Sequence, residues 1–173
     1  MKFDARCQPI ELLLSDVDGV LTDGSLIFDN QGIESKAFHI RDGLGIKLWR
    51  RAGYRFGVVT SRNSHIVRVR AAELSFDVVR QGAEDKLLAV QQVLEDLKLA
   101  PEQVAYLGDD LPDLPVLKYV GLAVAVADAA PEVRAAAGLV TKLPGGRGAV
   151  REAIEAILKA KRRWEDLIQK YVS

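Results

Sequence analysis

Cysteine is almost missing: Cys7 stands alone in 173 residues. No internal disulfide can form, and one sulfur cannot build a thiolate metal site. Histidine is nearly as scarce, with only His39 and His65, so a structural zinc site lacks its ligands. Charge of one sign is missing too. Twenty-four Lys and Arg balance 24 Asp and Glu, whereas a nucleic-acid or membrane-surface binder needs a basic excess. Long hydrophobic runs are absent. The longest, Val120–Ala127, has eight residues, against the about 18 that a membrane span requires. Neither nucleic acid nor membrane is therefore an expected partner. Met1-Lys2-Phe3-Asp4 has no apolar region behind it, so no secretory leader is expected and the cytoplasm is the expected compartment. Any resident metal must be held by oxygen, which puts Mg²⁺ first.

What is present suits one globular unit. A chain of 173 residues, 49% of them apolar, can bury one core and is expected to form a single domain over 1–173. Short apolar runs alternate with helical spacing. Ile10–Leu14, Arg55–Thr60, Val78–Val79, Val104–Leu107 and Gly121–Val126 read as strands. Leu44–Ala52, Ser64–Leu74, Asp85–Leu97, Pro112–Val120 and Pro131–Ala137 read as helices, with Ser64 and Asp85 as N-caps. This alternation predicts an α/β fold, a Rossmann-like parallel sheet flanked by helices. Ser25–Asp29 and Ile33–His39, joined at Asn30-Gln31-Gly32, predict a β-hairpin inserted after the first strand. A lone hairpin is marginal in water and must pack on something. Ala149–Tyr171 predicts one long amphipathic C-terminal helix, and Lys159, Lys161, Arg162 and Arg163 a solvated face of it.

Chemistry gathers where strands end. Asp16 and Asp18 follow the first strand, and residues two apart in extended chain point to one side. Gly19 allows a sharp turn there. Asp109 and Asp110 follow the strand Val104–Leu107. In a parallel sheet both groups reach the same edge, where ligands bind, and together they make a plausible oxygen-ligand Mg²⁺ site. Thr60 closes a third strand, and the helix start near Ser64 suits a phosphate. Lys86 opens a helix, where the dipole disfavours a cation; beside these carboxylates it reads as a phosphate counter-charge.

Asp16-Val17-Asp18-Gly19-Val20-Leu21-Thr22-Asp23-Gly24 resembles the first motif of the haloacid dehalogenase superfamily of phosphatases. Thr60, Lys86 and Gly108-Asp109-Asp110-Leu111-Pro112-Asp113 are similar to its second, third and fourth motifs, in order. The hairpin, the short chain and the lack of a cap domain are similar to the 3-deoxy-D-manno-octulosonate 8-phosphate phosphatase group, as are the stretches 41–46 and 145–152. The resemblance implies that Asp16 attacks phosphorus and forms an aspartyl-phosphate. Asp18 would protonate the leaving oxygen and then activate water, while Thr60 and Lys86 hold the phosphoryl oxygens. Mg²⁺ would be bound by Asp16, Asp109 and the backbone carbonyl of Asp18, with Asp110 and Asp113 in support. By the same resemblance Asp18, His39, Ile40, Arg41, Asp42, Gly43, Lys47, Arg62, Arg70 and Lys86 contact a sugar-acid phosphate, a precursor in lipopolysaccharide biosynthesis. A homotetramer assembled through the hairpin is implied as well, and Arg147 is placed where it could reach a neighbouring site.

Two other readings stand beside this one. A phosphatase for a nonulosonate 9-phosphate would share every catalytic residue; Arg62 favours the eight-carbon acid, because the nonulosonate branch resembles an acidic residue there. A phosphorylatable switch domain would also carry an acidic Mg²⁺ pocket, a Thr or Ser and a Lys. The spacing of Asp16 and Asp18 suits fast hydrolysis instead of a lasting phospho-state.

Overall fold

The computed structural model describes residues 2–172. The elements run α1 (Phe3–Cys7), β1 (Leu12–Ser15), β2 (Ile27–Phe28), β3 (Glu34–Ser35), α2 (Ile40–Arg51), β4 (Arg55–Val59) and α3 (His65–Leu74). They continue with β5 (Val78–Arg80), α4 (Lys86–Leu97), β6 (Val104–Gly108), α5 (Leu114–Leu117) and β7 (Leu122–Ala125). The last are α6 (Pro131–Ala136), β8 (Leu139–Val140), α7 (Ala149–Ala160) and α8 (Trp164–Val172). Six strands form one sheet in the order β5-β4-β1-β6-β7-β8, and every pair is parallel. β2 and β3 pair separately and antiparallel, as the inserted hairpin. No described helix is long and apolar enough to cross a membrane.

β1 lies at the centre of the sheet, flanked by β4 and β6, with Leu14 level with Gly57 and Tyr106. All four of its residues are buried, the pattern of a parallel strand covered on both faces. Helices α2, α7 and α1 pack together, and α4, α5 and α6 form a second group. Gly45 lets α2 and α7 approach: a Cβ there would press on the Arg151 side chain. Asp85 caps α4 by accepting from the Leu88 amide at 2.9 Å, a device worth about 1 kcal/mol.

Several elements depart from the sequence reading. The expected C-terminal helix over 149–171 is two helices, α7 and α8. Arg162 between them takes a left-handed φ of 55°, which breaks the helix without glycine or proline. Lys161 is not a solvated residue. Its ammonium donates to the carbonyls of Cys7, Gln8 and Ile10 at 3.2, 2.6 and 3.0 Å, so it pins the chain end of α1 to α7. The expected helix over 112–120 contracts to a 3₁₀ turn, Leu111–Asp113, followed by the four residues of α5. The hairpin strands are also shorter than expected, two residues each. Cys7 is buried and its thiol is pushed up to about 11, mainly by that burial, which removes it as a nucleophile.

Candidate active site

β1, β4 and β6 are neighbours running in one direction, so the residues after them share one edge of the sheet. Asp16 follows β1, Thr60 follows β4 and Asp109 follows β6. Asp16 and Thr60 continue the backbone ladder for one more residue, donating to the Leu107 and Arg80 carbonyls at 2.9 Å each. The sheet therefore fixes their spacing before any side-chain contact forms.

Asp16 is 7% exposed. Its Oδ1 accepts from the Val17 amide at 2.7 Å, and its Oδ2 lies 2.8 Å from Lys86 Nζ. Lys86, the first residue of α4, is buried and also donates to Asp113 Oδ1 at 2.7 Å. The Tyr106 hydroxyl donates to the same oxygen at 2.8 Å, while Asp113 Oδ2 accepts from the Asp109 amide at 3.0 Å. Burial alone would lower the Lys86 pKa, but the Asp16 and Asp113 carboxylates outweigh it and hold the ammonium charged. An ion pair this deep is stable only when each member is partnered; here Lys86 bridges both acids.

One oxygen from each of Asp16, Asp109 and Asp113 lies within 4.8 Å of the others. Burial, then repulsion from Asp113, pushes Asp16 up to about 6 against the pull of Lys86. Burial, then repulsion from Asp16 and Asp113, pushes Asp109 up to about 7. Asp109 Oδ1 is buried and has no hydrogen-bond partner among the described residues. One lysine does not neutralise three carboxylates, and an orphaned buried oxygen calls for a cation. Asp113 is engaged by Lys86, Tyr106 and backbone amides, so the ligand oxygens left to a Mg²⁺ ion come from Asp16 and Asp109. The donor set is all oxygen, as magnesium requires.

Asp18 is not part of this carboxylate cluster, contrary to the alternation argument. The chain leaves the extended conformation after Asp16, and Asp18 turns to the hairpin. Its Oδ1 pairs with Lys36 and its Oδ2 lies 3.8 Å from Arg62 Nε. Asp113 takes the expected third place. Asp110 is exposed and caps the 3₁₀ turn through the Leu111 amide. Gly19 is tied to the metal side of the site: its φ is +91°, and a Cβ would collide with the Asp109 carboxylate. Behind it, the Gly146 amide donates to the Val20 carbonyl at 2.9 Å, and Gly145 packs so closely on Gly19 that a side chain has no room. The glycine-rich loop therefore braces the first motif from 126 residues further along the chain.

The remaining sequence-assigned residues spread around the rim. Arg62 donates to Glu34 Oε1 at 2.7 Å, beside Asp18. His39, Asp42 and Gly43 lie where α2 begins. Asp42 is buried and accepts from the Arg151 amide at 2.7 Å, so it ties α2 to α7. Arg70 bonds Glu73 at 2.7 Å and stacks over Phe38. Ile40 and Lys47 are exposed. Arg41 lines a groove of about 770 Å³ between α2 and α7 that shares no lining residue with the acidic cluster. Arg147 lies 3.4 Å from Asp23 of its own chain. Glu34 and Lys36, which the sequence reading did not assign to the site, touch Asp18, Arg62 and Ser64. Their spacing of two puts them on one side of an extended segment, but nothing local says what that side meets.

Residues 58–154 match the haloacid dehalogenase-like hydrolase family. The 3-deoxy-D-manno-octulosonate 8-phosphate phosphatase KdsC of Escherichia coli (strain K12) is 45% identical over 162 residues, which is 94% of this chain and 86% of the relative. The crystal structure of the Yersinia pestis 3-deoxy-D-manno-octulosonate 8-phosphate phosphatase superposes with a TM-score of 0.92 at 46% identity, covering 94% of this chain and 88% of that one. That of the Moraxella catarrhalis phosphatase, in complex with magnesium ion, phosphate ion and KDO, superposes with a TM-score of 0.95 at 37% identity, covering 97% of each chain.

Proposed function

The chain belongs to the haloacid dehalogenase-like hydrolases, and from that membership we propose that it is a magnesium-dependent phosphomonoesterase. Its substrate is 3-deoxy-D-manno-octulosonate 8-phosphate, hydrolysed in the cytoplasm during lipopolysaccharide sugar biosynthesis. The observation that carries this reading is the buried Asp16 carboxylate at the edge of the sheet, with Lys86 2.8 Å away and Asp109 beside it. The KDO-bound relative supports the substrate.

In this reading Asp16 attacks phosphorus in line and becomes the aspartyl-phosphate, while Asp18 gives a proton to the leaving sugar oxygen. Asp18 then takes a proton from the water that attacks the intermediate, and inorganic phosphate leaves. Lys86 and the Thr60 hydroxyl hold the phosphoryl oxygens as charge redistributes. Asp16, Asp109 and the Asp18 carbonyl would hold magnesium, which when bound would supply positive charge where two anions must meet. Tyr106 and Asp113 keep Lys86 aimed at the nucleophile.

Arg62 selects the sugar acid. Its side chain is 38% exposed and donates from Nη2 to Glu34, which leaves further guanidinium N–H groups for a substrate carboxylate. Arg62→Ala should lower kcat/KM for the sugar-acid phosphate by about 10- to 150-fold, the loss of one charge-assisted bond worth about 1.5–3 kcal/mol. A generic ester such as 4-nitrophenyl phosphate should lose far less. Phosphate release from 3-deoxy-D-manno-octulosonate 8-phosphate, a nonulosonate 9-phosphate and 4-nitrophenyl phosphate, with wild type and variant, checks this. Preference for the nine-carbon acid, or equal loss on all three, would contradict the assignment.

The hairpin supports a homotetramer. Leu26, Ile27, Phe28 and Ile33 are 52, 49, 54 and 58% exposed, an apolar surface that the described residues leave half uncovered. Replacing both Phe28 and Ile33 by Ser should weaken association by about 1.5–3 kcal/mol per protomer, or about 10- to 150-fold, if half of each side chain is buried on assembly. Light scattering across a dilution series should show dissociation at higher concentration than wild type; an unchanged mass at every dilution would contradict this role.

A further inference from the structure

Lys36 and Glu34 bring the hairpin into the site of their own chain. The Lys36 side chain is 1% exposed although residues 25–33 of the hairpin are exposed. Its ammonium pairs with Asp18 Oδ1 and lies 3.3 Å from Glu34 Oε1. Glu34 accepts from Arg62 Nη2 and from Ser64 Oγ, each at 2.7 Å. Ser64 precedes α3, and its hydroxyl is given to Glu34 instead of capping that helix. A solvated lysine would leave its ammonium in water. Desolvating an ammonium is costly unless partners replace the water, so this side chain is held at Asp18 by its ion pairs.

We propose that Lys36 is a positioning residue for Asp18. It anchors Oδ1, so Oδ2 is the oxygen that exchanges protons with the substrate. This rests on the acid–base reading of Asp18 above. In the first step the Oδ2 proton passes to the leaving oxygen as its bond to phosphorus breaks and the bond from Asp16 forms. In the second, a water proton passes to Oδ2 as the water oxygen bonds phosphorus and the Asp16–phosphorus bond breaks. Lys36 keeps its own protons throughout. Glu34 holds Lys36 and Arg62 together, so the strand that leads out to the assembly surface also sets the acid–base geometry.

A leaving-group series separates this role from sugar binding and from general loss of fold. Phenyl phosphate and 4-nitrophenyl phosphate carry no carboxylate; the phenolate needs a proton far more than the nitrophenolate does. kcat/KM for each, measured on the magnesium-loaded enzyme, reports steps up to the first phosphoryl transfer. Lys36→Met should lose about 10- to 100-fold with phenyl phosphate, part of the 10²–10⁴-fold that a positioned acid contributes. It should lose less than about threefold with 4-nitrophenyl phosphate, and Lys36→Arg should restore most of the loss. Glu34→Gln should show the same split at smaller size, and it serves if Lys36→Met does not fold. Equal losses on both esters, no loss on either, or a loss confined to the sugar-acid phosphate would overturn the proposal. Asp18→Asn, run beside them, tells the two readings apart. If it splits the esters and Lys36→Met does not, the positioning role falls alone; if it does not split them, the acid–base reading falls and takes this proposal with it.

Discussion

Asp16→Asn should lose at least about 10⁴-fold in kcat, the scale of removing a covalent nucleophile. At 1.36 kcal/mol per decade this is more than about 5 kcal/mol of barrier. The amide keeps the size of the side chain and can still accept from the Val17 amide through its oxygen. It has no anionic oxygen to attack phosphorus. Lys86 keeps Asp113 as a counter-ion at 2.7 Å, so its charge stays paired and the fold should hold. A loss of activity with unchanged circular dichroism and Tm would therefore report chemistry. Substantial residual turnover would place the nucleophile elsewhere.

Exhaustive chelation should abolish turnover, and added Mg²⁺ should restore it. Asp16 and Asp109 cannot both ionise cheaply in a buried cluster: without a cation they stand at about 6 and about 7. Phosphate esters add further negative charge at the same point, so attack by an anionic Asp16 requires neutralisation. The same two groups set a pH signature. In the metal-free fold both pKa values lie above those of the unfolded chain. The folded state thus retains protons that the unfolded state has released between about pH 4 and pH 7. Their contribution to stability is full below the unfolded pKa and is lost as pH rises through the folded values. Bound magnesium removes that penalty, so the rise in Tm on adding Mg²⁺ should be small near pH 5 and grow towards pH 8. Tm measured with Mg²⁺ and with chelator across that range checks the sign. Full turnover under chelation, or a metal effect that shrinks with rising pH, would contradict the site.

The centre of the site was legible because strand ends and acidic motifs coincide. Asp16, Thr60 and Asp109 each follow a short apolar run, and parallel pairing brings such ends to one edge. Lys86 was legible from an unfavourable position: a cation at the start of α4 needs anions, and Asp16 and Asp113 supply them. The Asp18 carboxyl lies outside the acidic cluster because the alternation rule holds only while the chain stays extended, and the chain already bends at Val17 and turns at Asp18. Asp113 belongs to the cluster because the 3₁₀ turn after Asp110 folds it back under Asp109. Glu34 and Lys36 were hidden because no local rule says where a protruding hairpin will lay its charged face. The break at Arg162 was silent, since a left-handed arginine carries no breaker residue, and the bonds from Lys161 to the carbonyls at and just after the end of α1 are long-range contacts. The bracing of Gly19 by Gly145 is likewise invisible at a separation of 126 residues.

The central claim is that phosphate passes through Asp16. Rapid mixing of the magnesium-loaded enzyme with 3-deoxy-D-manno-octulosonate labelled in its 8-phosphate, acid quench within the first turnover, and peptide mapping test it directly. Asp18→Asn should be run in parallel to slow breakdown of the intermediate. The account predicts acid-stable label on the peptide that contains Asp16, formed as fast as the sugar acid is released. Release of the sugar acid with no label on the protein, or label on any other residue, would contradict it.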